Sequence, residues 1–143
     1  MPDISKWDTG KVIDMSSLFS KCSSIIYLPD ISKWNTSSVI TMQNIFRNCI
    51  FLSVFPDISK WDTSKVQNFN GMFYNCSSVT FLPDISKFLQ KKNPCTFKYM
   101  FCGCITAVNI PNIQDFIEFK QTYKTQDIYL NCLSSFLTTI PND

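Results

Sequence analysis

The sequence predicts an α/β repeat protein, a right-handed solenoid of about five coils with one short strand and one short helix in each. Three observations lead to this expectation. A proline-led motif returns at a regular interval along the chain, cysteines follow the same period, and apolar residues within each period share one helical face. One such unit cannot bury its own apolar face, so stacked units must share a core. We expect a single domain, 1–143, with repeats 2–28, 29–55, 56–82, 83–110 and 111–140.

The motif Pro-Asp-Ile-Ser-Lys-Trp defines the period. It begins at Pro2, Pro29 and Pro56, returns with Phe88 in place of tryptophan, and decays in the unit that begins at Pro111. The cysteines that recur in register with this motif are Cys22, Cys49, Cys76, Cys104 and Cys132. A shared period in two unrelated residue types indicates repetition of a whole structural unit.

The first part of each unit predicts a short strand. In residues 28–32 apolar Leu28 and Ile31 stand among polar neighbours, and a leading proline is tolerated at the start of a strand. If Ile31 points into the core, alternation along the strand turns Asp30 and Ser32 towards solvent. Stacked strands would then align these side chains in columns.

The second part of each unit predicts a short helix. In unit two the apolar residues lie three or four apart, which places them on one helix face: Val39, Met42, Ile45, Phe46 and Cys49. The preceding trio, residues 35–37, carries side-chain oxygens that can accept the free N–H groups of a first helical turn.

The composition excludes several classes of protein. The chain has one alanine, Ala107, and one glutamate, Glu118, which argues against an all-helical solenoid. It has no histidine, which removes the commonest general base and metal ligand. A net charge of +2 does not indicate a basic surface for nucleic-acid binding, and no apolar run is long enough to span a membrane. We therefore expect no enzyme activity, cofactor, metal or nucleic-acid partner.

Unit three resembles a known repeat. Residues 57–76, from Asp-Ile-Ser-Lys-Trp-Asp-Thr-Ser to Met-Phe-Tyr-Asn-Cys, resemble the BspA-like leucine-rich repeats, in the version found in mycoplasma surface lipoproteins. The resemblance implies a leucine-rich-repeat-like solenoid and a role in adhesion or protein recognition at the cell surface or outside the cell. The N-terminus has no signal-peptide pattern. An intracellular scaffold or regulatory protein in the cytoplasm is therefore the alternative.

One column of aspartates, one of serines and one of lysines together form the candidate binding strip for a protein or glycan ligand. Its members come from units two to four: Asp30, Ser32, Lys33, Asp57, Ser59, Lys60, Asp84, Ser86 and Lys87. They are either solvated structural groups or a flat recognition surface, as the ribbons of solenoids often are. The coil at the N-terminal end lacks a polar cap, so end-to-end self-association is a further expectation.

The large aromatic residues and the cysteines each have two interpretations. The column from Trp7 through Trp34 and Trp61 is either a ligand platform or a row of core side chains, and packing is favoured. The in-register cysteines are expected to be buried thiols. Cys95 and Cys102 break the register and are the candidate disulfide pair if the protein is secreted.

Overall fold

The computed structural model describes residues 3–89 and 95–108. The expected repeat 111–140 and its Cys132 lie outside the described residues. Regular secondary structure is sparse in the described part, where the α-helix is α1, Ser86–Leu89. Strands are reduced to isolated parallel bridges that join residues one unit apart. The bridges form two series. One joins Asp14, Thr41, Asn68 and Thr96 in turn, and the other joins Tyr27, Val54 and Phe81.

Neighbouring units lie side by side in chain order. The two bridge series connect each unit to the next at two places around the coil, always with parallel chain direction. Further bonds add to each contact, such as that from the Ile40 N–H to the Ile13 carbonyl at 2.8 Å and its equivalent from Gln67 to Ile40. The repeating sequence therefore repeats its contacts as well, and the same positions meet at each junction.

The segment 42–48 of unit two is a series of turns where the apolar spacing predicts a helix. Alternate N–H groups donate to carbonyl oxygens of the next unit, unit three, over 2.8–3.0 Å, and the donors are Met42, Asn44, Phe46 and Asn48. The N–H groups of Ile45 and Arg47 donate to the carbonyl three positions earlier, and that of Gln43 donates to the Thr41 hydroxyl oxygen. The backbone donors are thus divided between the turn and the next unit, whereas an α-helix would keep them within one segment.

Left-handed residues explain why these segments do not become α-helices. Asn44 and Asn48 have φ angles of 57° and 59°, and the equivalent Gly71 and Asn75 have 61° and 56°. A left-handed residue at every fourth position ends each turn, and Gly and Asn tolerate that conformation best. The apolar spacing of three and four still buries Met42, Phe46 and their neighbours on one side. The expected helix in each coil thus differs from the turns found here.

The segment 28–32, where a strand is expected, is irregular and leads into a turn at residues 32–33. The parallel bridge lies just before it, at Tyr27. Pro29 has no N–H to donate to a ladder, and the Asp30 side chain accepts a bond from the Ser32 N–H at 2.9 Å. Ile31 is buried and Asp30 is exposed, as expected, but Leu28 is buried too, so strict alternation does not hold across the segment.

Columns of aromatic rings fill the core. Trp34 and Trp61 are buried and stacked with ring centroids 6.3 Å apart, so the structure supports the packing interpretation of this column over the ligand platform. Phe19, Phe46 and Phe73 form a second column with centroid separations of 5.6 and 5.8 Å. Equivalent residues in successive units therefore pack on one another. This contact gives each unit a partner for the face that it cannot bury alone.

Candidate recognition surfaces

The predicted strip is exposed, and its aspartates are engaged in local turns. Asp30, Asp57 and Asp84 each accept the N–H of the serine two positions later at 2.9 Å. Ser32 and Ser59 are half-buried, whereas the lysines of the strip are exposed. The carboxylates therefore shape their own backbone, as Asx turns do.

The charges of the strip compensate one another along the column. Hydrogen bonds from the side chain and N–H of Ser59 lower the pKa of Asp57, the nearby Lys60 acts in the same direction, and the Asp30 charge opposes them. Lys60 also helps to lower the pKa of Asp30 in the preceding unit. Carboxylates and ammonium groups thus alternate within reach of each other, and the strip presents no surface of a single sign.

An exposed apolar ladder lies beside this strip, and the sequence analysis did not identify it. We use the term apolar ladder for Tyr27, Val54 and Phe81, which are joined by parallel bridges and are 74%, 65% and 63% exposed. Other large apolar residues are exposed in the same part of the coil or its equivalents: Ile26, Phe51, Ile105 and Val108. Contiguous exposed apolar surface of this kind marks an interaction site more often than isolated apolar side chains do.

The signal for the apolar ladder is present in the sequence. Each of its members stands two positions before the motif proline and directly before an inward residue such as Leu28. Alternation that turns Leu28 inward turns Tyr27 outward. A large apolar residue is thus repeated at an outward position.

The outer side of the turn segments has a different chemistry. We call this the turn face, and it comprises the outward residues of segments 16–21, 43–48, 70–75 and 98–103. These segments contain no aspartate or glutamate, and their charged residues are Lys21, Arg47 and Lys98. The guanidinium carbon of Arg47 lies 4.3 Å from the centroid of the Tyr74 ring in the next unit.

The in-register cysteines are thiols that bridge neighbouring units. The Sγ atoms of Cys49, Cys76 and Cys104 donate to phenylalanine carbonyl oxygens of the preceding unit over 3.1–3.2 Å. Burial raises the pKa of Cys49 to about 12 and that of Cys76 well above its usual value. These thiols are therefore structural donors, and raised pKa values make them poor nucleophiles.

Cys95 and Cys102, the expected disulfide pair, are both buried and both carry thiols in this structure. Cys102 follows Arg47 and Tyr74 in the same column of successive units. Burial raises its pKa, while the Arg47 charge and a hydrogen bond with Tyr74 act in the opposite direction. A disulfide between the two under oxidising conditions stays a prediction.

Within 3–89 and 95–108, no group of three or more cysteine, aspartate or glutamate side chains is arranged to hold a metal ion. Over the same residues, no helix has the length and apolar character needed to cross a bilayer.

The described part is therefore a stack of repeating units whose in-register residues form its junctions and whose outward columns differ in chemistry. The family model for the Mycoplasma protein of unknown function DUF285 matches residues 1–116, and the chain belongs to this family. Comparisons with curated proteins and with solved structures gave no match.

Proposed function

We propose that this chain is a non-catalytic protein-recognition module that binds its partner through the apolar ladder. The proposal includes a right-handed, leucine-rich-repeat-like coil as its scaffold, with unit after unit presenting equivalent side chains on one side. The observation that carries the proposal is the exposure of Tyr27, Val54 and Phe81 in register. Burial of such side chains against a partner removes apolar surface from water, at roughly 25 cal/mol per Å².

The backbone beneath the apolar ladder supports this function. The three residues are held by parallel bridges, and the residue after each of them is buried in the core, as Leu28 is. Side chains on a pre-ordered backbone lose less conformational entropy when they bind a partner. The aspartate–lysine strip beside them is charge-compensated and so suits the polar rim of a protein interface.

Adhesion or another contact at the cell surface is the setting that we propose for this recognition. The support is the resemblance of unit three to repeats of surface proteins, together with membership of a mycoplasma-associated family. An intracellular scaffold is the alternative setting. Titration of the thiols in protein from its native source distinguishes them, because a Cys95–Cys102 disulfide belongs to an oxidising compartment.

A peptide library tests the recognition surface without knowledge of the natural partner. Random dodecapeptides displayed on phage are panned against the immobilised full chain, and enriched peptides are synthesised for titration. We expect enrichment in aromatic and aliphatic residues, and binding that weakens at least tenfold in the double variant Tyr27→Ser, Phe81→Ser.

The matched control is Asp57→Asn with Lys60→Gln, which changes the neighbouring strip and leaves the apolar ladder intact. We expect this control to bind the peptides as the unmodified chain does. Failure to enrich any peptide, or equal binding by the ladder variant, would contradict the proposal. Equal losses in both variants would assign recognition to the strip instead.

A further inference from the structure

The turn face differs from the other surfaces in its balance of charge. The strip alternates aspartates with lysines, whereas the turn segments carry Lys21, Arg47 and Lys98 and no carboxylate of their own. Asp14, which precedes the first of these segments, accepts the Ser16 N–H at 2.7 Å and so is engaged in its own turn. The turn face is therefore the part of the described surface with positive charge in excess.

Arg47 is positioned by its neighbour in the next unit. Its guanidinium carbon lies 4.3 Å from the Tyr74 ring centroid, within the range of a cation–π contact. A guanidinium with one face on an aromatic ring keeps its N–H donors in its own plane, where they can reach a carboxylate or sulfate with two parallel bonds. The stacked ring thus orders the side chain before any ligand arrives.

Neutral amides make up much of the remaining turn face. Asn75 donates from Nδ2 to Oδ1 of Asn48 over 3.1 Å, and Asn68 donates in the same way to Gln43. The first bond joins equivalent positions of neighbouring units, whereas the second joins Gln43 to a residue just outside the turn face. Amides ordered in this way have donors and acceptors that pair well with hydroxyl groups.

The residue type at one position of the turn segments changes from unit to unit. The column that contains Arg47 reads Ser20, Arg47, Tyr74 and Cys102, while the preceding residue is phenylalanine in each of these units. The phenylalanine repeats because each unit packs on the next, whereas the residue after it varies. Ser20, Arg47 and Tyr74 are half-buried and Cys102 is buried, so Arg47 and Tyr74 supply the main functional groups that this column presents to solvent.

We propose that the turn face binds an acidic glycan, a sugar chain that bears carboxylate or sulfate groups, with Arg47 as the principal anion contact. Lys21 lies in unit one and Lys98 in unit four, so at a unit spacing of about 4.8 Å the cations span about 14 Å. Three cations among many amides suit a polymer with sparse charge and many hydroxyls. A nucleic acid, with its dense phosphates, requires more positive charge than this surface has.

The test uses the full chain and three probes of defined composition. A sulfated heparin-derived hexasaccharide, a polyglutamate peptide and a single-stranded oligothymidylate are titrated in 50 mM and 300 mM NaCl. We expect the hexasaccharide to bind at 50 mM and to bind more weakly at 300 mM, because salt screens charge pairs. Arg47→Gln should weaken this binding about tenfold, the size of one lost charge-assisted hydrogen bond pair.

Lys65→Gln is the matched control, since it removes the same charge from an exposed position outside the turn face, the strip and the apolar ladder, and should leave the affinity for the hexasaccharide unchanged. Arg47→Lys should give an intermediate loss, because lysine keeps the charge without the fork of donors. Thermal unfolding of each variant confirms that it is folded. Absence of hexasaccharide binding, or equal losses in Arg47→Gln and Lys65→Gln, would overturn the proposal. Binding of polyglutamate or oligothymidylate as tight as that of the sugar would overturn the glycan assignment.

Discussion

The Nε1 atom of Trp61 donates a hydrogen bond of 3.0 Å to the carbonyl oxygen of Ile31 in the preceding unit. Trp34 makes the same bond to Ile4. Each indole thus packs on the equivalent ring of a neighbouring unit and also satisfies a buried backbone acceptor of the preceding unit. The large aromatic of the motif therefore joins two units by packing and by hydrogen bonding.

Trp61→Phe should destabilise the chain by about 1–3 kcal/mol, because it removes the buried indole hydrogen bond between units and leaves space beside the ring, while the Ile31 carbonyl keeps the bond from the Trp34 N–H. Phe88 occupies the equivalent core position in the next unit, so the smaller ring is compatible with the fold. Urea unfolding followed by tryptophan fluorescence and circular dichroism measures the difference.

Trp7→Phe is the matched control for this substitution. Trp7 stacks on Trp34 with a centroid separation of 5.9 Å, but its side chain is 52% exposed. We expect a loss of less than about 1 kcal/mol, as for most exposed positions. Equal losses at Trp7 and Trp61 would contradict the role assigned to the buried indole N–H.

The sequence predicted the repeat period and several inward positions, and it did not predict the turns, for a specific reason. The period and the inward positions of Ile31, Met42 and Phe46 followed from motif spacing and apolar pattern. A spacing of three and four is common to an α-helix and to consecutive turns, so it could not distinguish them. The asparagines at 44 and 48 favour the left-handed conformations that end the turns, but Ser17, Lys21 and Tyr99 adopt the same conformation in other units, so residue type alone does not mark the turns.

The recognition surfaces were harder to predict for a different reason. The strip was chosen because charged side chains repeat, yet Asp57 and its equivalents repeat because each forms a turn with the following serine. The apolar ladder does not follow from the alternation set by Ile31, which would turn Tyr27 inward; it follows from the burial of Leu28, directly after Tyr27. The turn face required the structure, because the contact between Arg47 and Tyr74 depends on how the units are stacked.

Gly71→Ala should destabilise the chain by about 1–2 kcal/mol, because a side chain with a Cβ atom is strained in the left-handed region. Gly71 has a φ angle of +61°, and a Cβ atom there would meet the side-chain oxygen of Asn44. The Asn44 side chain can move aside, so the left-handed backbone is the main source of the cost. Chemical denaturation of the variant provides the measurement.

Gly10→Ala is the comparison for that experiment. Gly10 is not in the left-handed region, and the nearest atom to its added Cβ would be Nδ2 of Asn35 at 3.2 Å. The expected change is within about 0.5 kcal/mol. Gly71→Asn should recover part of the stability lost by alanine, because asparagine tolerates positive φ. A Gly71→Ala variant as stable as Gly10→Ala would show that the turn does not require this conformation.

The aspartates of the strip should make the stability of the fold decrease at low pH. Hydrogen bonds from serine hold the pKa values of Asp30, Asp57 and Asp84 below the usual 3.8. The folded state therefore binds protons less readily than the unfolded chain, so this stabilisation is fully present above pH 3.8 and is lost as the pH falls through the lower folded values. Urea midpoints at pH 6 and pH 3 measure the loss.

Asparagine variants separate this effect from general acid denaturation. Asn at 30, 57 and 84 can still accept the serine N–H but cannot titrate, so the triple variant should lose less stability between pH 6 and pH 3 than the unmodified chain does. Asp57→Ala, which removes the acceptor, should be less stable than Asp57→Asn at pH 6. Identical pH profiles for the triple variant and the unmodified chain would rule out these carboxylates as the cause.

The buried thiols should make the stability of the fold decrease at alkaline pH. Burial raises the pKa of Cys49 from 9.0 to about 12 and that of Cys76 well above 9.0. The folded state then holds its thiol protons when the unfolded chain releases them. The stabilisation is fully present below pH 9 and is lost as the pH rises through the folded values. Cys49→Ala should start less stable at pH 7 and lose less between pH 8 and pH 10 than the unmodified chain.

Alkylation tests the same burial at single residues. Cys22 lies in unit one and is half-buried. Cys49 and Cys76 are buried, and their Sγ atoms contact the preceding unit. With iodoacetamide at pH 8 under native conditions, Cys22 should react well before the other two, because reaction requires an accessible thiolate. Peptide mapping by mass spectrometry resolves the sites, and denaturation in urea should equalise their rates. Comparable native rates at Cys22 and Cys76 would mean that the junctions between units open readily, contrary to the stacked core in which Trp61 and these thiols lie.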